Sequence, residues 1–106
     1  MKTINEIRTD LREIRYFYSK HKDFETASKE IGTSSVLHLA NKYNSVIQNA
    51  SARMYDLYVA LYINNNTQAA VADDFGLTES YIRKLNKALC EYFFKEFNKE
   101  KDNDNQ

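Results

Sequence analysis

Residues 67–90, TQAAVADDFGLTESYIRKLNKALC, contain the pattern that decides the fold of this chain. Thr67 is placed to cap a short helix, and Gly76 follows it where a left-handed residue ends such a helix. Thr78 is placed to cap a second helix. The positions expected to face inward are Val71, Ala72, Phe75, Leu77, Tyr81, Ile82, Leu85 and Leu89. The stretch therefore predicts two helices packed against each other across a tight turn.

The composition of the whole chain extends this helical prediction. Its 106 residues include no proline and two glycines, so the residues that form the turns of an all-β protein are nearly absent. Gly32 and Gly76 stand too far apart for a glycine-rich phosphate loop. Hydrophobic residues make up 42% of the chain, which is enough for a folded core. We expect one small all-α domain of about six helices.

Hydrophobic periodicity predicts four further helices. The first, over residues 4–21, begins with Thr3 and Glu6 at the spacing of a capping box. One of its faces is apolar at every third or fourth position: Ile4, Ile7, Leu11, Ile14 and Tyr18. This face must be buried, either on its own chain or against a partner helix. The other three helices are predicted over residues 24–31, 36–49 and 52–63.

The chain divides into three parts by pattern. Residues 1–50 form an N-terminal helical part and a candidate for oligomerisation, and residues 51–97 form the module that contains the quoted stretch. The polar residues 98–106 are expected to be a disordered tail. Four tyrosines at helical spacing are expected to pack in the core, with their hydroxyls at its rim, rather than stack on bases: Tyr43, Tyr55, Tyr58 and Tyr62.

Charge is distributed unevenly along the chain. Lys plus Arg equals Asp plus Glu at 15 each, which gives no overall attraction to nucleic acid. Residues 1–22, however, carry a net charge of +3, and residues 78–87 carry +2. Arg8, Arg12 and Arg15 share one face of the first helix. They are either a solvated face paired with acidic neighbours or a basic ridge that faces phosphate or a partner.

Catalytic and metal sites are not predicted. His21, His38 and Cys90 stand far apart, and Cys90 falls near the apolar side of its helix. A single cysteine excludes an internal disulfide and a cysteine-built zinc site. No apolar stretch reaches the roughly 18 residues of a membrane span, and the polar start from Lys2 onward shows no secretory signal. We expect a cytoplasmic protein that is not an enzyme and has no cofactor.

The order apolar–alanine–two polar–apolar–glycine–apolar, from Val71 to Leu77, resembles the helix-turn-helix of DNA-binding proteins. A longer stretch, residues 56–93, reads DLYVALYINNNTQAAVADDFGLTESYIRKLNKALCEYF. It resembles the fourth region of bacterial sigma factors. It is similar, more closely, to small sigma-like regulators of phages and prophages, the ArpU type that governs late genes. The resemblance covers about half of the chain.

This resemblance implies a sequence-specific regulator of transcription that binds double-stranded DNA in a bacterial host cell. The helix at about residues 78–90 would enter the major groove. Its outward side chains are the candidate DNA-binding residues: Thr78, Glu79, Ser80, Arg83, Lys84 and Lys87. Arg83 suits guanine, Glu79 suits cytosine, and Lys87 suits a phosphate. Asp73 and Asp74, on the preceding helix, oppose a close approach of phosphate.

Two other functions remain open on the sequence alone. The module is suited to an adaptor that docks on RNA polymerase or on another regulator, and zero net charge favours this alternative. A small subunit of a phage DNA-packaging motor, of the small-terminase type, is the second alternative. We expect a homodimer or a higher homo-oligomer, formed through the apolar face of the first helix or through the helix over 52–63. The sequence does not identify the operator, the direction of regulation or the role of the arginine face.

Overall fold

The computed structural model describes residues 2–20 and 35–104, and this part of the chain is helical with no strand. Its helices are α1 (Ile4–Lys20), α2 (Ser35–Ile47), α3 (Ala52–Tyr58), α4 (Gln68–Phe75) and α5 (Glu79–Asp104), with a π-helical turn over Val59–Ile63 that continues α3. The predicted all-α fold is confirmed. The short helix predicted over residues 24–31 lies outside the described residues.

Helix α1 begins with the predicted capping box. The Thr3 hydroxyl accepts a hydrogen bond from the Glu6 amide at 3.1 Å, and the Glu6 carboxylate accepts one from the Thr3 amide at 3.1 Å. These two bonds satisfy amide groups that the first turn of a helix leaves without partners. The start of α1 is therefore set by its local sequence.

The apolar face of α1 packs on its own chain. It lies against the π-helical turn, α5 and α2, and its central residues are fully buried: Ile7, Leu11 and Ile14. The helix predicted over 52–63 contributes Leu57 and Tyr58 to the same core. The apolar face of α1 is thus covered within one chain, because the segments meet each other there, and the dimer predicted through this face is wrong. The helix predicted over 52–63 is covered only in part, since Tyr55 is 38% exposed, so a dimer through it stays a prediction.

The π-helical turn ends α3 at the three asparagines. The Asn64 amide donates to the Val59 carbonyl at 2.8 Å, one residue further back than in an α-helix, and the Asn66 amide donates to the Ala60 carbonyl at 3.0 Å. Asn65 has a left-handed φ of 59°, which asparagine adopts more readily than other residues with a side chain. The chain therefore leaves the helix here, as the sequence predicts.

Helix α5 is longer than we expected. It continues to Asp104, through the stretch predicted to be a disordered tail from residue 98 onward. Asn98 is partly buried, and its side-chain amide donates to the Lys2 carbonyl at 3.3 Å. Lys, Glu and Asp follow without any glycine or proline to end the helix, so helix propagation from the packed part continues.

Phe93 of α5 lies at the centre of the core and is fully buried. Its ring centroid is 4.7 Å from that of Tyr43 in α2 and 5.7 Å from that of Tyr58 in α3. The Phe97 ring stacks on it at 5.9 Å, and Phe97 also meets Tyr43 at 4.8 Å. One aromatic cluster therefore joins α2, α3 and the middle of α5.

The buried tyrosine hydroxyls have hydrogen-bond partners on other helices. Tyr43 donates to the Asp10 carboxylate at 2.7 Å, and the Lys2 ammonium lies 2.6 Å from the same oxygen. Tyr58 donates to the Asn44 side-chain oxygen at 2.6 Å, while the Asn44 amide nitrogen donates to the Tyr18 hydroxyl at 3.0 Å. Burial raises the pKa of Tyr43, Tyr58 and Tyr18 above the ordinary value for tyrosine.

Replacing Ile14 in α1 should destabilise the folded state, because its side chain is fully buried in the shared core. We expect Ile14→Ala to lower the free energy of unfolding by about 2–5 kcal/mol, the usual cost of a large-to-small change in a core. Urea denaturation followed by circular dichroism measures this loss. The control is Tyr16→Ala on the same helix, where the side chain is 63% exposed and a change within about 0.5 kcal/mol is expected.

The same experiment tests whether α1 is buried by its own chain. The urea midpoint of the parent protein should not depend on protein concentration if that packing is intramolecular. A small loss of unfolding free energy in Ile14→Ala, together with a urea midpoint that rises with protein concentration, would contradict this packing. It would indicate that α1 packs against a partner chain.

Candidate nucleic-acid interface

The turn between α4 and α5 is built by side-chain caps and one left-handed glycine. The Thr67 hydroxyl accepts from the Ala70 amide at 3.1 Å, which begins α4, and the Thr78 hydroxyl accepts from the Tyr81 amide at 3.1 Å, which begins α5. Gly76 has φ 68° and ψ 34°, and the Leu77 amide donates back to the Ala72 carbonyl at 2.9 Å. This bond pattern is that of a Schellman helix end.

Helices α4 and α5 pack through the residues predicted to face inward, with one exception. Four of them are buried: Val71, Ala72, Ile82 and Leu89. Phe75, Leu77 and Leu85 are partly buried against the same core. Tyr81, in contrast, is 45% exposed, so its predicted inward position is wrong. It lies one residue, and hence about 100°, from Ile82 around the helix, and Ile82 takes the central position.

The six predicted site residues are exposed at the start of α5. Ser80, Lys84 and Lys87 follow each other at steps of four and three residues, which places them on one face of the helix. Thr78 precedes the helix, and its hydroxyl oxygen accepts the capping bond. These side chains form one surface that begins at the N-terminal end of α5.

Glu79 and Arg83 are paired on this surface. The Glu79 carboxylate lies 3.5 Å from the Arg83 guanidinium at the i,i+4 spacing, and the two side chains are 53% and 58% exposed. An exposed pair of this kind contributes little to stability. Arg83 thus lies near the Glu79 carboxylate but remains free to leave it.

A cleft of about 340 Å³ lies between α1, α4 and α5. Four cationic side chains line it, two from α1 and two from α5: Arg8, Arg12, Arg83 and Lys87. Among the described residues, no aspartate or glutamate lines it. The sequence places the α1 arginines on one helix face but holds no local signal that this face meets α5. We name this group of four residues the cationic cleft.

The inner wall of the cationic cleft is neutral. The Tyr62 hydroxyl donates to the side-chain oxygen of Asn86, and burial raises the pKa of Tyr62 to about 12 despite that bond and the nearby Arg15 and Arg8. Burial also raises the pKa of the Cys90 thiol, against the charge and hydrogen bond of Arg8. Both groups stay protonated near neutral pH, so neither supplies a negative charge to the arginines.

Other charged groups named on the sequence do not line this cleft. Arg15 does not line it, and its side chain donates to the Asn65 side-chain oxygen at 3.4 Å. Asp73 and Asp74 are exposed near the end of α4, whereas Gln68, the first residue of that helix, lines the cleft. The two aspartates are about 8 Å along the helix from Gln68. Their negative charge is therefore not part of the cleft.

Comparison of the chain with protein-family models, with curated proteins and with solved structures gives no match. Within residues 2–20 and 35–104, no three histidine, cysteine, aspartate or glutamate side chains come together as a metal site. No helix in the same part of the chain is long and apolar enough to cross a membrane.

Substitution of Gly76 should destabilise the turn through the backbone alone. A Cβ atom at this position would meet no atom within 4 Å, so the cost comes from the left-handed φ of 68°. We expect Gly76→Ala to lower the free energy of unfolding by about 1–2 kcal/mol, measured by urea denaturation. Gly76→Asn is the matched control and should cost less, because asparagine tolerates this region. Equal stability of the alanine variant and the parent would contradict this account.

Alkaline pH should weaken the protein partly through Tyr62. Because its folded pKa is about 12 and the ordinary value is 10.0, its contribution is constant below pH 10 and is lost as the pH rises toward 12. Tyr62→Phe should lower the free energy of unfolding by about 1 kcal/mol at neutral pH, because the hydrogen bond to Asn86 is missing. Its free energy of unfolding should then fall less steeply between pH 10 and 12 than that of the parent, by about 2 kcal/mol in total. Parallel pH profiles for both proteins would contradict this role.

Proposed function

We propose that this chain is a phage- or prophage-type regulator of transcription that binds double-stranded DNA through the first turns of α5. The proposal includes the helix-turn-helix interpretation of α4 and α5. The observation that carries it is the exposed, cation-bearing start of a helix, which a capped tight turn joins to a neighbour helix anchored in the core by Val71 and Ala72. An α-helix presented in this way fits the major groove of B-DNA.

The proposed contacts follow from the chemistry of each side chain. Arg83 can donate two parallel hydrogen bonds to guanine once it leaves Glu79, and Glu79 can accept from cytosine. Ser80 and Lys84 share the outward face with Lys87, for which a phosphate contact is proposed. Thr78, next to the helix start, completes the proposed site. Location in the bacterial cytoplasm belongs to the same proposal.

Oligomerisation remains part of this proposal, but it needs a surface other than the apolar face of α1. A chain with zero net charge gains little from overall attraction to DNA, so a second DNA-binding copy would add affinity. The apolar face of α1 is not available for this contact in the folded chain. Exposed large side chains that remain are Tyr16, Tyr55 and Tyr81.

A second function, an adaptor that docks on RNA polymerase, is favoured by a different observation. Asp73 and Asp74 are exposed on the helix before the turn, and Tyr81 is exposed on the helix after it. An aromatic side chain suits a protein interface, and exposed carboxylates are repelled by the phosphates of DNA. Co-purification of polymerase subunits that persists after nuclease treatment would favour the adaptor over the DNA-binding regulator.

The direct test is selection from a pool of random duplex DNA at two salt concentrations. The regulator should enrich a sequence motif and bind it less tightly at the higher salt, because phosphate contacts release counterions. A motif with two-fold symmetry would indicate a dimer. Absence of enrichment at low salt would contradict the proposed DNA binding and favour the adaptor.

Charge removal on α5 should weaken DNA binding without unfolding the chain. We expect Arg83→Ala to cost about 1–3 kcal/mol of binding free energy and to relax the selected sequence at one position. Lys87→Ala should weaken binding to all sequences and reduce the salt dependence by about one unit of slope. Fluorescence anisotropy with the selected duplex measures both effects, and circular dichroism checks the fold.

The matched control is Lys95→Ala. Lys95 is exposed on the same helix, about 18 Å along its axis from Arg83, and its replacement removes the same charge. It should leave affinity nearly unchanged. Full binding by a folded Arg83→Ala, Lys87→Ala double variant would overturn the assignment of α5 as the DNA-contacting helix.

A further inference from the structure

The described residues around the cationic cleft neutralise only part of its positive charge. Arg8 and Arg12 come from α1, Arg83 and Lys87 come from α5, and no carboxylate lines the cleft among the described residues. The 3.5 Å contact with Glu79 offsets one of the four charges, that of Arg83. Arg12 donates one hydrogen bond, of 3.3 Å, to the Thr9 hydroxyl. This hydroxyl is neutral and does not offset the charge of Arg12. Like charges gathered in this way repel each other until an anion lies between them.

The neutral residues around these charges also suit an oxyanion. The Asn86 side-chain oxygen is occupied by the Tyr62 hydroxyl, which leaves its amide group as a hydrogen-bond donor toward the cleft it lines. Gln68 lines the cleft from the first position of α4, where the amide groups of a helix start carry partial positive charge. The cleft thus offers both guanidinium forks and neutral donors.

The geometry of the arginines favours phosphate over a single carboxylate. Arg8 and Arg12 are four residues apart on α1 and therefore neighbours on one helix face, with α5 as the opposite wall. A guanidinium group binds phosphate oxygens through two parallel bonds, and several such groups match the several oxygens of one phosphate or of adjacent ones. A carboxylate has two oxygens and leaves most of these donors without partners.

We propose that the cationic cleft is a phosphate-binding site in which Arg8 and Arg12 of α1 act together with Arg83 and Lys87 of α5. If the proposed function holds, and this identification of the source rests on it, the phosphate belongs to the DNA backbone beside the major groove. Arg8 and Arg12 then position the duplex against α5 and contribute affinity without reading sequence. The N-terminal helix thereby belongs to the DNA-binding surface.

The test compares an α1 variant with an α5 variant on the selected duplex. Arg8→Gln with Arg12→Gln keeps much of each side-chain stem and removes two charges. We expect binding to weaken about tenfold, the slope of log affinity against log salt to fall by about two, and the preferred sequence to stay the same. Arg12→Lys, which keeps the charge, should retain most of the salt slope. Lys42→Gln with Lys95→Gln is the charge-matched control, because it also removes two charges and neither lysine lines the cleft. Lys42 lies over the Phe97 ring at 4.9 Å.

Two results would each overturn this inference while the proposed function stands. If Arg8→Gln with Arg12→Gln binds the duplex as the parent does, and Arg83→Gln still weakens binding, α1 does not hold a backbone phosphate. A change in the preferred sequence of the α1 variant would also overturn it, since phosphate contacts carry no direct sequence information. Thermal denaturation of each variant confirms that the fold is intact before binding is compared.

A second arm separates the two sources of phosphate and is independent of DNA binding. Pyrophosphate is titrated into the 106-residue chain while the side-chain amide signals of Asn86 and Gln68 are followed by NMR. Saturable shifts that disappear in Arg8→Gln with Arg12→Gln support a phosphate site, and a parent protein that binds no duplex would then assign the site to a free phosphate compound. Absence of both shifts and duplex binding would overturn the site and the proposed function together.

Discussion

The structure depends on the packing of Phe93 in the middle of α5. The first turns of this helix carry the exposed residues of the proposed interface, and three turns later the same helix brings Phe93 between Tyr43 and Tyr58. A straight helix transmits position along its length, so the aromatic cluster sets where the exposed residues lie relative to α1. One helix therefore carries both the central residue of the core and the proposed interface.

The buried tyrosines add a second constraint, which is polar. Burying a hydroxyl without a hydrogen-bond partner costs free energy. Each buried hydroxyl therefore favours only those helix arrangements that bring its partner within hydrogen-bond distance. Tyr43 requires Asp10 of α1, and Tyr58 requires Asn44 of α2. Tyr62 requires Asn86 of α5. These bonds select one relative placement of the helices among the many that would bury similar apolar area.

Local sequence predicts much of this fold, because its signals are short-range. The capping box at Thr3 and Glu6, the left-handed glycine at Gly76 and the apolar periodicity of α1 each act over a few residues. Helix ends were less predictable: α5 continues past residue 97 because nothing in its polar end stops a helix that is already formed. The apolar ring of Tyr81 predicts an inward position, but its position around the helix leaves it exposed.

The cleft was not predictable in the same way. Its two pairs of cationic residues lie about 75 positions apart in the chain, and each pair has an ordinary explanation as a solvated helix face. What brings them together is the burial of the apolar face of α1 on its own chain. Periodicity indicates that this face is buried, but it does not identify the segments that cover it. The location of the arginines depends on which segments these are. The candidate residues on α5, in contrast, followed from a local pattern around Gly76 and from its resemblance to a helix-turn-helix.

The cationic cleft occurs in a chain whose formal net charge is zero. The cleft is a local concentration of positive charge, and the balancing negative charge lies elsewhere in the chain. Net attraction to a polyanion is weak for such a molecule, whereas the electric field near the polyanion exerts a torque that turns the cleft toward the charged surface. Salt limits this torque to a Debye length, about 10 Å at 0.1 M, so alignment takes place only in the last stage of an encounter. The charge pattern therefore selects the orientation of approach more than it raises the frequency of collisions.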